Sequence, residues 1–223
     1  AGVASGAMAG LLNGSLITTL RVAPFIVTLG TYLFVRGAAL GIAGEQSVYP
    51  ERTWINELLG RVPEADRWRL LPYGVWITLA LVVAAALALR GTVFGRRIRA
   101  LGGNEQAARY AGLRIGKLKL ATYMLNGFFG GLAGVMLFSR LSVGDPTSAA
   151  GLELDVIAAA VIGGASLAGG EGSIAGSVLG ALIMVTLRAG LSQMGLSNWV
   201  QQMITGGVIV VAVAVDRLRR RPA

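Results

Sequence analysis

The chain has 223 residues, of which 54% are hydrophobic and only 14% charged, where soluble domains carry about 25% charged residues. It has no cysteine and no histidine. This excludes disulfides, thiol chemistry and the usual zinc sites, and removes the commonest general base. A disordered chain is excluded and an ordinary soluble enzyme is disfavoured. The net charge of +9 raises the question of nucleic acid, and the placement of the charges answers it below.

Seven apolar stretches are read as membrane spans: 1–20, 25–43, 73–91, 119–138, 155–168, 173–192 and 199–216. A helix needs about 20 apolar residues to cross ~30 Å of hydrocarbon. The fifth stretch is short, and is read as tilted, locally thinned, or buried against other helices. Glycines repeat at intervals of four in Gly6, Gly10 and Gly14, in Gly127 with Gly131, in Gly130 with Gly134, and in Gly172, Gly176 and Gly180. Each set shares one helix face and permits close helix crossing, either within the chain or at a dimer or pore face.

In the second span, Arg36 lies about twelve residues in, roughly 18 Å along the axis at 1.5 Å per residue. A charge near mid-bilayer is a functional candidate, with an interhelical ion pair or carbonyl bonds as the plainer role. Asn13, Thr28, Thr31 and Asn126 are polar residues within spans. They line a polar path or bond neighbouring helices. Between the second and third spans, Trp54, Ile55, Leu58 and Leu59 share one helical face. The stretch 51–60 is read as lying on the outer surface, with Trp54 and Trp68 at the headgroups, or as docking an outside partner.

Arg90, Arg96, Arg97, Arg99, Arg109, Arg114, Lys117 and Lys119 face Glu105 alone in 90–119, and the tail 216–223 is also basic. The loops 44–72 and 139–155 are slightly acidic. The positive-inside rule makes the first two segments cytoplasmic and the other two external. The basic excess is therefore topology, and no aromatic-interleaved basic face points to nucleic acid. Seven crossings with a cytoplasmic C-terminus place Ala1 outside, which leads to the expectation of an N-terminally truncated chain.

Within the connection 92–118, Asn104 is a good N-cap, Glu105 suits a helix N-terminus and Gly112 suits the C′ position. A helix about 10 Å long is expected over 105–111. It is either a part held by another protein or an ordinary surface helix. The run from Gly163 to Ser173 has five glycines in eleven residues and cannot be a plain helix interior. It is read as a helix break on a transport path or as a tight cytoplasmic turn. Lacking the Gly-Lys-Ser/Thr ending and a preceding strand, it is no phosphate-cradling loop.

The stretches Pro24–Gly30, Thr92–Arg96, Ala100–Ala108, Gly151–Ala159 and Ile162–Gly176, with Gly206 and Asp216, resemble in order and spacing the membrane permeases of bacterial ABC importers. The type is the ribose/monosaccharide one, in the branched-chain amino-acid/ribose permease superfamily. The resemblance runs from about residue 8 to 217. It implies an all-α polytopic bundle forming one permease domain over 1–223, with a cytoplasmic coupling loop at 92–118 and an outer loop at 44–72. It implies a multi-pass protein of the bacterial cytoplasmic (inner) membrane with a cytoplasmic C-terminus.

The coupling segment of that family corresponds here to Gly103, Asn104, Glu105, Ala107, Ala108, Arg109 and Gly112. Gln106 separates Glu105 from Ala107 and Ala108, so the likeness to the wider Glu-Ala-Ala loop of importers is loose. Arg36, Asn126, Gly163, Gly164, Gly169, Gly170, Glu171 and Gly172 are the candidates for the pathway and its helix break. The implied partners are an ATP-binding cassette ATPase, an extracytoplasmic sugar-binding protein, a second permease copy and the lipid bilayer. The chain itself is expected to have no catalytic residue, metal or cofactor, with ATP and magnesium on the ATPase. Branched-chain amino acids are the alternative cargo. An ion-coupled secondary transporter is a weaker alternative, because Arg36 has no mid-span carboxylate to pair with.

Overall fold

The computed structural model describes residues 1–51, 53–60 and 71–219. Trp68 and the side chain of Asp216 lie outside the described residues. The elements are α-helical with one 3₁₀ turn: α1 (Gly2–Leu20), α2 (Pro24–Ala43), the 3₁₀ turn Trp54–Glu57, α3 (Tyr73–Gly91), α4 (Val93–Gly103), α5 (Glu105–Tyr110), α6 (Ile115–Leu141), α7 (Leu152–Ile162), α8 (Ile174–Gln193) and α9 (Asn198–Arg219). Among the described residues six helices are long and apolar enough to cross a membrane: α1, α2, α3, α6, α8 and α9. The fifth expected span is realised as α7, only 11 residues. At 1.5 Å per residue it covers roughly 16 Å, about half the hydrocarbon thickness.

The chain forms two compact units, residues 1–83 with 112–148, and residues 84–111 with 149–223. In the first unit α1 packs along α6. The packing is set by glycine. A Cβ on Gly6 would stand 2.7 Å from the Gly131 Cα, and one on Gly127 would stand 2.8 Å from the Gly10 Cα. Backbone therefore lies on backbone, which larger residues forbid. Gly14 ends the ladder against Leu120 and Tyr123, while Gly130 and Gly134 meet nothing within 4 Å.

Overpacking a close contact of this kind costs roughly 1–3 kcal/mol. Gly127→Val is therefore expected to lower the thermal midpoint in detergent by several degrees. Gly130→Val, three residues on and with nothing within 4 Å of its Cβ, is expected to leave it nearly unchanged.

The connections of this unit are tied together. Val48 and Gly144 exchange two backbone hydrogen bonds of 2.9 Å, so the stretches after α2 and after α6 meet. This agrees with the same-side assignment their acidic charge suggested. Thr53 and Asn56 form a capping box on the 3₁₀ turn. The Leu59 N–H donates to the Ser139 Oγ at 2.9 Å, and the Gly74 N–H donates to the Leu58 carbonyl at 2.6 Å. The stretch 53–60 is thus docked on the ends of α3 and α6. Trp54 is exposed, while Ile55, Leu58 and Leu59 are half-buried.

In the second unit α7 runs antiparallel to α8, with Gly163 against Gly176 and Gly180 against Ala159. A Cβ on Gly163 would meet the Ser177 nitrogen at 2.6 Å, and one on Gly180 would meet the Ala159 carbonyl carbon at 2.8 Å. α9 covers this pair. Ala158, Ala159 and Met184 form the buried core, with Ile162, Val208 and Ile209 packed on it.

Candidate functional site

The stretch after α3, expected as mere connection, is helical. Thr92 caps α4 by accepting from the Gly95 N–H at 3.2 Å. Arg99 folds its guanidinium back to donate to the Leu89 carbonyl near the end of α3. Gly95 packs on that same carbonyl, where no side chain fits. Thr92 three residues before Gly95 was the legible signal, since a side-chain cap of this spacing starts a helix.

α4 ends at Asn104, and α5 begins there. The Asn104 Oδ1 accepts from the Ala107 N–H at 2.9 Å. The Glu105 carboxylate lies 3.5 Å from Arg109 Nη2 one turn along, both side chains largely exposed. The acid sits at the positive helix end and the base near the negative end, as the helix dipole favours. Ala108 turns inward and is buried. Ala111 is the C-cap and Gly112 follows with φ +77°, the left-handed C′ position expected of it. α5 is one residue shorter than expected.

The glycine-rich run 163–172 forms the non-helical connection between α7 and α8. Ser173 caps α8, accepting from the Gly176 N–H at 3.0 Å. The Ser166 N–H donates to the Glu171 carbonyl at 3.1 Å and closes the loop. Gly169 and Gly170, with φ +94° and +79°, lie against the last turn of α4. A Cβ on Gly169 would stand 2.7 Å from the Gly102 carbonyl oxygen, and one on Gly170 would stand 2.8 Å from the Gly103 Cα. Gly102 in turn packs on the Gly170 nitrogen. Two candidate groups placed far apart in sequence thus meet within one unit, one residue short of the Asn104 cap. Gly163 belongs instead to the α7–α8 crossing. Gly164, Glu171 and Gly172 lie along the same loop and are exposed, and a Cβ on Gly164 or Gly172 would meet no atom of α4.

Arg36 and Asn126 belong to the first unit. The Arg36 Nη1 donates to the Tyr32 hydroxyl at 2.6 Å, and the guanidinium lies 5.9 Å from that ring's centroid. Asn126 lines an open cavity of about 880 Å³ between α1, α2 and α6, where Asn13, Thr28 and Tyr32 also lie.

One pair escaped the sequence reading. Arg188 Nη2 on α8 lies 2.6 Å from Asp155 Oδ2 in the first turn of α7. Asp155 is buried, its side chain 10% exposed, while that of Arg188 is 42% exposed. The carboxylate of Asp155 stands in the stretch Gly151–Ala159 that carried part of the family resemblance, but nothing in its spacing named Arg188.

Compared with known proteins, the chain matches over residues 1–213 the family described as branched-chain amino acid transport system / permease component. It is 38% identical over 219 residues to the L-arabinose ABC transporter permease protein of Azospirillum brasilense, covering 98% of this chain and 63% of that protein. It is 40% identical over 220 residues to the ribose import permease protein of Escherichia coli K12, covering 99% of this chain and 68% of that one. It is 41% identical over 164 residues to the xylose transport system permease protein of the same strain, covering 74% and 42%. The chain thus spans about two thirds or less of the length of these relatives. No solved structure matches it.

Proposed function

The chain belongs to the branched-chain amino acid transport system / permease component family, and from that premise we propose that it is the transmembrane subunit of an ABC importer for a monosaccharide. The observation that carries the cargo is the identity of about 40% to relatives named for arabinose and ribose, over 98% and 99% of this chain. In this reading residues 1–223 are one permease domain in a bacterial cytoplasmic membrane. α5 and the C-terminus face the cytoplasm. A second copy, an ATP-binding cassette ATPase and an extracytoplasmic sugar-binding protein complete the machine. ATP and magnesium belong to the ATPase. The family's own description favours a second cargo, branched-chain amino acids.

The mechanism proposed is alternating access driven from the ATPase. ATP binding favours one of two arrangements, and the ligand shifts the equilibrium only by its difference in affinity for them. α5 suits the part that receives this push. It is short, capped at both ends, and projects Glu105 and Arg109. Gly103, Asn104 and Gly112 set its start and stop, the small exposed Ala107 leaves room for a partner's groove, and the buried Ala108 seats the helix on the rest of the chain. Glycine-faced helices such as α7 and α8 suit re-packing, because their contact is backbone on backbone.

Two measurements test this. Gentle detergent extraction of the full-length protein is expected to bring an ATP-binding subunit at near-equal stoichiometry. A chain that purifies only with itself would overturn the importer reading. In reconstituted vesicles, Glu105→Ala with Arg109→Ala is expected to cut sugar uptake at least tenfold while the thermal midpoint stays within a few degrees. The exposed i,i+4 pair itself is worth only about 0.3–0.5 kcal/mol, and the unchanged thermal midpoint is what separates lost coupling from lost folding. Unchanged uptake would remove α5 from the coupling role.

A further inference from the structure

The cavity in the first unit has a chemical character of its own. Its floor is the α1–α6 crossing, where Gly6, Gly10, Gly127 and Gly131 expose backbone. Its polar side chains are hydroxyls and amides, chiefly Asn13, Thr28, Tyr32, Tyr123 and Asn126. Among the described residues no Asp, Glu, Lys or Arg lines it. Arg36 donates to the hydroxyl of the lining residue Tyr32. That bond occupies a Tyr32 acceptor site and leaves the phenolic proton for another partner. Thr28 spends its own proton on the Pro24 and Phe25 carbonyls, so its oxygen faces outward as an acceptor. The Asn13 Oδ1 is buried and has no donor among its neighbours.

A buried amide oxygen without a donor costs roughly 1–3 kcal/mol. The Asn13 Oδ1 therefore lacks a donor, and a ligand in the cavity that Asn13 lines reaches it only if the amide turns toward that space. Donors and acceptors together, with no net charge, match a neutral polyhydroxylated molecule, each hydroxyl of which both donates and accepts. The same lining suits a zwitterion badly. An ammonium and a carboxylate removed from water each need a counter-charge, and the desolvation cost is several kcal/mol per ion without one. The volume lies within the 300–1,000 Å³ usual for small-molecule sites, enough for one monosaccharide with water around it.

We infer that this cavity is a sugar-binding station on the translocation path, with Asn13 and Asn126 as its recognition residues and Tyr32 and Thr28 as supporting contacts. The inference rests on the monosaccharide-importer reading, and it favours a sugar over an amino acid as the cargo of that importer.

Residues 1–223 contain no cysteine, so an introduced thiol is unique within them. The full-length transporter, assembled with its ATPase and binding protein in vesicles, is assayed for uptake of D-ribose, L-arabinose, D-xylose and L-leucine. Asn13→Leu and Asn126→Leu are expected to cut sugar uptake at least tenfold, with ATP hydrolysis stimulated by the loaded binding protein kept within twofold. In parallel, Asn126→Cys is expected to react with a water-soluble thiol reagent, and the transported sugar is expected to slow that reaction at least threefold. Asn126→Cys also guards against a leucine variant that fails to fold.

If the wild type imports a sugar but both leucine variants match it, the station is overturned and the importer reading stands. An Asn126→Cys thiol that reacts at the same rate with and without sugar also overturns it. If the wild type imports leucine and no sugar, the cargo reading and this inference both fall. If it imports nothing and recruits no ATPase, the importer reading itself has failed.

Discussion

Gly170→Ala is expected to reduce coupled uptake more than tenfold while the partner ATPase continues to hydrolyse ATP. The reason is steric and conformational at once. The new Cβ would stand 2.8 Å from the Gly103 Cα and 2.9 Å from its nitrogen. Both are backbone atoms, so no side chain can swing aside. The residue also has φ +79°, and an L-residue in the left-handed region costs roughly 1–2 kcal/mol. Alanine is accommodated only if the 163–172 loop lifts off the end of α4. That end runs directly into the Asn104 cap of α5. The loop runs directly into the Ser173 cap of α8. Separating them cuts the shortest packed route from α5 to the α7–α8 pair within this unit. Gly102→Ala attacks the same contact from the other side, where a Cβ would collide with the Gly170 nitrogen, and is expected to behave alike.

Gly190→Ala is the control. It lies in α8 with nothing within 4 Å of its Cβ, and a helix-interior glycine replaced by alanine gains up to about 1 kcal/mol. It is expected to transport like the wild type. Uptake and ATP hydrolysis measured on the same vesicles separate lost coupling from lost assembly. Full uptake by Gly170→Ala would mean that the loop and α4 merely touch.

The positions of the long helices were legible because hydropathy is a local property summed over many residues. α2, α3 and α8 begin and end within one residue of the stretches read from the sequence, and α6 extends four residues earlier and three later. The start of α5 was legible for the same reason, since Asn104 and Glu105 act within one turn. α4 was missed because its charged face offers no apolar run, and its cap at Thr92 carries little weight alone. The apolar stretch read over 155–168 runs past the end of α7 because Ala165, Leu167 and Ala168 keep it apolar, whereas the helix stops where the glycine run begins, the break that run pointed to. Gly163 sits where its Cβ would strike the Gly176 backbone.

The contacts that define the candidate site were not legible at all. Gly102 meets Gly169 and Gly170 across three intervening helices, and Asp155 meets Arg188 across the loop between α7 and α8. Nothing in the spacing of glycines or charges along a chain selects one such pairing over another. The sequence could mark each glycine as unusual, but the meaning of each lies in the backbone it faces.

The Asp155–Arg188 pair is the second contact whose loss is expected to be large, and the two partners are expected to differ. Asp155 is the more buried, and its Oδ1 has no hydrogen-bond donor. Arg188 is its one described counter-charge. Arg188 itself lies in the last turns of α8, with 42% of its side chain exposed. Its long stem can carry the guanidinium toward the interface if the acid is removed. Arg188→Met therefore leaves a buried carboxylate with no compensation, a loss of roughly 3 kcal/mol for a broken buried pair. Asp155→Asn is expected to cost clearly less.

The double variant, Asp155→Asn with Arg188→Met, is expected to recover much of the Arg188→Met loss, because the stranded charge has gone. Unfolding midpoints of the four proteins in one detergent form the cycle that measures this coupling. Simple additivity would show that the pair contributes nothing as a pair. Recovery of stability without recovery of uptake would locate the function of the pair in the placement of α7. Asp155 fixes the first turn of that helix, and its last residue, Ile162, leads into the loop that lies on α4.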